Sequence, residues 1–262
     1  MLSLLMTTWL AWAATPAEID GLLREFNQHA VLKVPILDDK QTQNLLDGDV
    51  VRILFQAEDP EAPSAAVAFA LSPISRDALW IAAQDPHTIV DPGLSEKIIR
   101  QISPDRAIWY GHWDLPRPVR DRQWVVDSSN THALATAMND KGWEHSWVLV
   151  EDGLEQARPF IERGDVSGIT TEHLDDAIFT PVNRGSWWFF ELEDGQTMFG
   201  YQATTVVGGA IPTWLVTKLV MSRLETIVRD LEKRAQEWSP KHYSGDHAPV
   251  LGGDGVAVPK FP

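Results

Sequence analysis

The most regular pattern of apolar and polar positions lies in the last third of the chain. Between about residues 212 and 238, apolar residues recur every three or four positions, and charged residues fill most positions between them. This pattern predicts a long amphipathic helix that packs a single stripe on the rest of the domain. The stripe contains Val216, Leu219, Val220, Leu224, Ile227, Val228 and Leu231.

Two further helices are predicted nearer the N terminus. Thr15, Pro16 and Glu18 are the residue types of a helix start, because they supply a capping hydroxyl, a first-turn proline and a capping-box carboxylate. Apolar residues then follow at helical spacing as far as Phe26. A second, shorter helix is predicted over residues 75–83.

Short alternating runs predict strands, and strands in series favour an antiparallel sheet that curves. The clearest pair is a hairpin of residues 186–192 and 197–205, joined by Asp194-Gly195, a dipeptide that readily adopts positive φ angles. The fold class is therefore α+β, and the long helix is the natural cover for the concave face of the sheet. The other predicted strands cover residues 31–37, 50–56, 65–71, 108–113, 123–128, 143–150 and 165–171.

The hairpin also predicts which side chains face inward. A two-residue turn would pair Phe190 with Phe199 and Trp188 with Tyr201. Glu191 and Glu193 alternate with the aromatic residues of the first strand, so they would mark the face that is exposed to water. We therefore expect the four aromatic side chains to point towards the long helix, either as a solid core or as the wall of a cavity.

One domain is predicted over residues 16–238, because no repeat or linker interrupts the pattern. Residues 239–262 are rich in glycine and proline and lack periodicity, so we expect a disordered tail. Residues 1–13 form an uncharged apolar run, too short to span a bilayer, that ends in Ala11-Trp12-Ala13. Small residues at such positions are typical of a signal peptidase site, although no Lys or Arg precedes the run. We expect a signal peptide and a periplasmic or secreted protein, the alternative being a helix packed on the domain.

The composition narrows the classes of partner. A net charge of −15 argues against a nucleic-acid surface, which needs a basic footprint. The absence of cysteine excludes disulfides, thiolate nucleophiles and cysteine-ligated metals. Twelve tryptophans against three tyrosines indicate a wide aromatic interior or a cavity wall, unless an ordinary core simply uses tryptophan.

Catalytic and metal-binding patterns are weak. The sequence has no G-x-S-x-G, no H-E-x-x-H and no strand-linked G-x-G-x-x-G, and its histidines are scattered. His112, in a tryptophan-rich segment, is the best candidate for a polar site, although a histidine in a strand is more often structural. We therefore expect no catalytic residue, metal or cofactor.

Three stretches share a recognisable pattern: Pro116-Arg-Pro-Val-Arg-Asp-Arg122 before a strand at Trp124, Gly185-Ser-Trp187 with Gly195, Thr197 and Tyr201, and Gly208-Gly-Ala-Ile-Pro-Thr-Trp-Leu215 at the start of the long helix. Together they resemble the START (StAR-related lipid transfer) family, over about residues 16–236. Gln123 departs from the family pattern, since the family often has an acidic residue there.

The resemblance implies a helix-grip fold, in which a curved antiparallel sheet surrounds the long helix and encloses a hydrophobic tunnel. It implies non-catalytic binding, and possible transfer, of a lipid or other apolar molecule by a monomer with transient membrane contact. The alternatives are a cyclase or aromatase-like enzyme, which an inward-facing His112 would favour, and a protein-interaction module. The expected ligand-contacting residues are Trp188, Phe190, Phe199, Tyr201, Trp124, Arg122, His112, Val216, Leu219, Val220, Leu224 and Ile227. Arg122 could instead pair with Asp114 or Asp121.

Overall fold

A computed structural model describes residues 14–56, 62–85, 93–115, 119–209 and 213–262, without the side chains of residues 213–217 and 219. The expected signal peptide lies outside these residues. None of the helices in the described part is long and apolar enough to cross a membrane. The helices are α1 (Pro16–His29), α2 (Asp39–Leu46), α3 (Arg76–Gln84), α4 (His132–Ala137), α5 (Gly153–Glu162), α6 (Thr171–Asp176), α7 (Thr213–Glu237) and α8 (Ser239–His242).

Within the described residues, nine strands form one curved sheet in the order β1-β2-β9-β8-β6-β5-β4-β3. Every pairing is antiparallel except that of β7, which runs parallel to β5 off this path. The α+β prediction is therefore confirmed. The strands are β1 (Val51–Phe55), β2 (Ala65–Ser72), β3 (Leu94–Ser103), β4 (Arg106–Trp113), β5 (Arg122–Asn130), β6 (Gly142–Leu149), β7 (Ile178–Phe179), β8 (Val182–Glu191) and β9 (Thr197–Val206).

Both faces of the sheet are covered. Helix α7 packs on one face, called here the α7 face, where Leu224, Val228 and Leu231 are fully buried in one cluster with aromatic side chains of β8 and β9. Helix α1 packs on the opposite face, called the α1 face, and α5 and α6 cover the same side further along, over Tyr110 and Val125. Neither face of the sheet is therefore lined by polar residues along its whole length, as one face would be in a sheet with a solvated side.

The predicted helices are present with nearly the predicted ends. Thr15 caps α1, since its hydroxyl accepts a hydrogen bond of 3.2 Å from the Glu18 amide, and Pro16 opens the helix. Helix α3 begins at Arg76, after the Ser75 cap, and α7 spans Thr213–Glu237 against the predicted 212–238.

Two predicted strands are wrong. Residues 31–37 form no regular strand, because the buried Glu144 side chain accepts the Val31 amide at 3.0 Å and Asn27 bonds both backbone groups of Val34. Side chains therefore replace the strand partners that these backbone groups would otherwise need. Residues 165–171 form turns between α5 and α6 and the first residue of α6. Helices α2, α4, α5, α6 and α8 and strands β3 and β7 were not predicted.

The predicted disorder of residues 239–262 is also wrong. Tyr243 is fully buried, and its hydroxyl accepts from the Val250 amide and donates to the Val258 carbonyl, both at 2.9 Å. The Leu251 carbonyl accepts from the Trp80 indole at 2.8 Å, which ties the segment to α3. Glycines and prolines here follow an irregular path set by tertiary contacts, which periodicity cannot detect.

Candidate functional site

The register of the β8–β9 hairpin differs by one residue from the predicted one. Phe189 pairs with Phe199, and Trp187 pairs with Tyr201. The loop is longer than two residues, because Glu191 pairs with Thr197 and the Leu192 amide bonds the Gln196 carbonyl. A one-residue shift transfers every side chain of that strand to the other face.

Trp188 and Phe190 consequently lie on the α1 face, which corrects the prediction that they point towards the long helix. Both are fully buried against Phe26 of α1, with ring centroids 6.2 and 5.3 Å from it. Glu191 misled the assignment because it lies at the end of β8, where it is exposed beside Arg76. Phe199 and Tyr201 do lie on the α7 face, as predicted.

The aromatic side chains of the α7 face form a solid part and an accessible part. Phe189 and Phe199 stack at 6.1 Å and, with Trp80, are fully buried. Further along the same strands, Tyr201 and Trp147 keep accessible surface, and Trp187 is only 8% exposed. We call Trp147, Trp187 and Tyr201 the aromatic wall.

Glycines on neighbouring strands allow two indoles to lie flat on the sheet. A Cβ on Gly185 would lie 2.3 Å from Cζ2 of Trp147, and one on Gly111 would lie 2.4 Å from Cε2 of Trp124. Side chains at these positions would lift both rings off the backbone. Trp124, a predicted site residue, therefore lies on the α7 face and is partly accessible.

The Tyr201 hydroxyl is the polar group of the aromatic wall. Burial, reinforced by the negative charge of Glu96, raises the pKa of this hydroxyl, so it is protonated at neutral pH. No hydrogen bond joins it to another residue in the described part of the chain. The neighbouring Trp147 indole, by contrast, donates to Asn183 Oδ1 at 3.1 Å. The accessible part of this face thus presents ring surfaces and one protonated hydroxyl.

Arg122 is buried on β5 and holds the segment that leads into α7. Its Nε donates to the Val207 carbonyl at 2.6 Å, one terminal nitrogen donates to the Gly208 carbonyl at 3.1 Å, and the other donates to the Arg120 carbonyl. Backbone carbonyls, rather than the side chains of Asp114 or Asp121, therefore accept its hydrogen bonds in the described part of the chain. Its position indicates a structural role at one end of the α7 face.

His112 lies on the side of the sheet opposite to the α7 face. It is 3% exposed, its Nε2 is 3.7 Å from Asp121 Oδ2, and its ring packs on His173 of α6 at 5.9 Å. Burial lowers the pKa of His112 below its ordinary value. The inward orientation that would have favoured an enzyme is therefore absent.

His145 of β6 lies on the α7 face, although nothing in the sequence singled it out. Its Nδ1 donates to Asn130 Oδ1 at 2.7 Å, and burial lowers its pKa to about 4. The ring is therefore neutral at neutral pH.

The α7 residues predicted to face the ligand are only partly described. Leu224 is fully buried, and Val220 and Ile227 pack on the same cluster while remaining partly accessible. The side chains of Val216 and Leu219 lie outside the described residues.

The sequence prediction missed Trp147 and Trp187 of the aromatic wall. Placing Trp187 required the correct hairpin register, and Trp147 is recognisable only from its glycine neighbour across the sheet.

No group of three or more His, Cys, Asp or Glu residues in the described chain is arranged to hold a metal ion.

Comparison with known proteins identifies the fold. No family model and no curated protein matches the sequence. Human StAR-related lipid transfer protein 5 superposes with a TM-score of 0.53 at 13% identity, covering 85% of this chain and 97% of that one. Human STARD10 gives 0.52 at 13% identity, with 80% and 85% covered. The human StarD13 (DLC2) lipid transfer and protein localization domain gives 0.50 at 11% identity, with 78% and 100% covered. The chain therefore has the START, or helix-grip, fold that the sequence motifs predicted.

Proposed function

Starting from the START fold, we propose that the chain binds an apolar ligand between the aromatic wall and α7 and does no chemistry on it. The observation that carries this proposal is the accessible surface that Tyr201 and Trp147 keep on the α7 face of the sheet, where both pack against the buried core cluster. Side chains of a solid core would have no such surface, as Phe189 and Phe199 illustrate.

The hydrophobic effect would supply the affinity. Burying roughly 300 Å² of ligand apolar surface contributes about 8 kcal/mol at ~25 cal/mol per Å². This corresponds to roughly micromolar binding before the cost of immobilising the ligand is subtracted. The similar human proteins are described as lipid transfer proteins or domains, which supports a lipid or another apolar molecule as the ligand. Transfer would require transient membrane contact.

We further propose a monomer that acts in the periplasm or outside the cell. The motivation for that location is the apolar run of residues 1–13 with its Ala11-Trp12-Ala13 end. N-terminal sequencing of the protein from its native host tests this part of the proposal. A protein that keeps Met1 and fractionates with the cytoplasm contradicts it.

Mass spectrometry of organic extracts from the purified protein tests the binding proposal. We expect an apolar compound at close to one molecule per chain. After delipidation, Trp187→Leu should reduce recapture of that compound. Trp238→Leu should not, because Trp238 is at the far end of α7 and 36% exposed. A protein that carries nothing and captures none of oleate, dioleoylphosphatidylcholine and pyrene contradicts the proposal.

A further inference from the structure

The rings of the aromatic wall are in contact with one another. The Tyr201 ring centroid lies 4.7 Å from that of Trp187 and 5.7 Å from that of Trp147. Rings at these distances touch, so no group can insert between them as a cation does in an aromatic cage. The three rings therefore form one contiguous surface, in which the Trp187 plane is inclined by 55° to that of Tyr201.

The Trp147 indole is fixed in an orientation that suits stacking. One side of the ring lies across the Cα of Gly185, where even a methyl group would be only 2.3 Å from Cζ2. Its N–H is held by Asn183 Oδ1, which limits rotation of the ring and satisfies its donor. The Tyr201 and Trp147 ring planes are inclined by only 31°, so their accessible surfaces face a similar direction.

Two donors of this wall, the Tyr201 hydroxyl and the Trp187 indole N–H, have no hydrogen-bond partner among the described residues, and the hydroxyl belongs to the more accessible of the two side chains. A hydroxyl in apolar surroundings gains stability from an acceptor, because leaving it unpaired is costly. A ligand oxygen placed over the edge of the wall would provide that acceptor.

We infer that the ligand is a planar, fused-ring molecule whose oxygen accepts a hydrogen bond from Tyr201, rather than a molecule with flexible acyl chains. This inference rests on the proposed function, because it names the class of ligand for the same site. A planar ligand stacks on a continuous aromatic surface without ordering rotatable bonds, whereas an acyl chain loses that freedom and gains no ring stacking.

Equilibrium dialysis with two matched probes tests the inference. Pyrene and 1-hydroxypyrene share the same fused rings and differ by one oxygen, and oleate serves as the flexible competitor. We expect the delipidated protein to bind 1-hydroxypyrene more tightly than pyrene, and both more tightly than oleate.

Two substitutions separate the ring surface from the hydroxyl. Tyr201→Phe keeps the ring and should weaken 1-hydroxypyrene roughly two- to tenfold, the range for one hydrogen bond, with pyrene unchanged. Trp147→Leu should weaken both probes. Trp238→Leu is the matched control that loses an indole outside the site, and it should change neither. Thermal unfolding of each variant shows whether it is folded under the dialysis conditions.

The outcomes distinguish this inference from the proposed function. Binding of oleate without either pyrene probe overturns the planar ligand and leaves apolar binding intact. Binding of both pyrene probes with equal affinities for the parent and Tyr201→Phe overturns the contact with the hydroxyl. Failure to bind any of the three probes, together with an empty organic extract, overturns the proposed function itself.

Discussion

The packing of Trp124 on Gly111 leads to a quantitative prediction. A Cβ at position 111 would meet Cε2 and Nε1 of the indole at 2.4 Å, far inside van der Waals contact. The ring would have to leave its place on the sheet, and overpacking of this kind typically costs 1–3 kcal/mol. We therefore expect Gly111→Ala to destabilise the protein by about 2 kcal/mol, or roughly 4–8 °C in Tm for a domain of this size.

Replacing Trp124 removes the obstacle at position 111, so the effect of Gly111→Ala on the free energy of unfolding should change sign. Trp124→Ala should itself cost about 2 kcal/mol, less than for a fully buried tryptophan, because the ring is only half-buried. In that background the new methyl group has space. Alanine should then stabilise β4 by about 0.5 kcal/mol, since glycine loses more conformational freedom on folding. The coupling energy between the two positions should therefore be about 2.5 kcal/mol.

Urea denaturation of the four proteins measures this coupling directly. The midpoint should fall for each single variant, and the double variant should be no less stable than Trp124→Ala alone. Equal costs of Gly111→Ala in both backgrounds would refute the reasoning, because they would show that the indole does not lie on this glycine.

Three other perturbations test particular contacts. Tyr243→Phe should cost about 2 kcal/mol in urea denaturation, because it leaves the partly buried Val250 amide and the Val258 carbonyl without their shared partner. An unchanged midpoint would show a loose C-terminal segment. Phe190→Ala should lower the free energy of unfolding by ~3–5 kcal/mol, while ligand capture per folded molecule stays constant. A selective loss of capture would contradict the place of Phe190 on the α1 face. Burial lowers the pKa of His132, but its bonds to the Gly253 carbonyl and Asp105 outweigh this effect, so the net pKa is raised. The stabilisation from His132 is therefore complete below about pH 6.5 and is lost as pH rises through the folded pKa. The Tm difference between the parent and His132→Asn should shrink from pH 6 to pH 9. A constant Tm difference would argue against the His132–Asp105 contact.

The parts of the fold that were predicted correctly depend on local signals. Thr15 and Pro16 mark the start of α1 because capping is decided within one turn. The stripe of α7 is visible because a long helix repeats its pattern many times. The order of the predicted helices and strands followed from such local signals, independently of the three START-like stretches.

The errors arise where tertiary structure decides. The hairpin was assigned from its acidic residues, but with both faces of the sheet buried, a glutamate at the end of β8 carries no information about the faces. The true register places Trp187 rather than Trp188 on the α7 face. The backbone amide of Val31 bonds Glu144, more than a hundred residues away, and no local pattern reveals such a partner.

The candidate site was predicted in part for the same reason. Phe199 and Tyr201 were assigned to the correct face, whereas Arg122 and His112 were chosen for their chemistry alone. Arg122 bonds backbone carbonyls, and His112 lies under α6. A polar residue that is close to a site in the sequence can equally well hydrogen-bond backbone groups or lie on the opposite face of the sheet.

The strand order has a consequence for self-association. The sheet remains open, so β3 ends it with a ten-residue edge of backbone donors and acceptors that a second copy could extend. This edge is irregular, because its pairing with β4 shifts register after Ile98 and again after Gln101. Glu96, Lys97 and Arg100 also project from it into solvent. Charges and bulges of this kind prevent a flat, continuous match between two identical edges. Straightening β3 and replacing its charges with apolar residues would therefore turn this edge into a template for edge-to-edge aggregation.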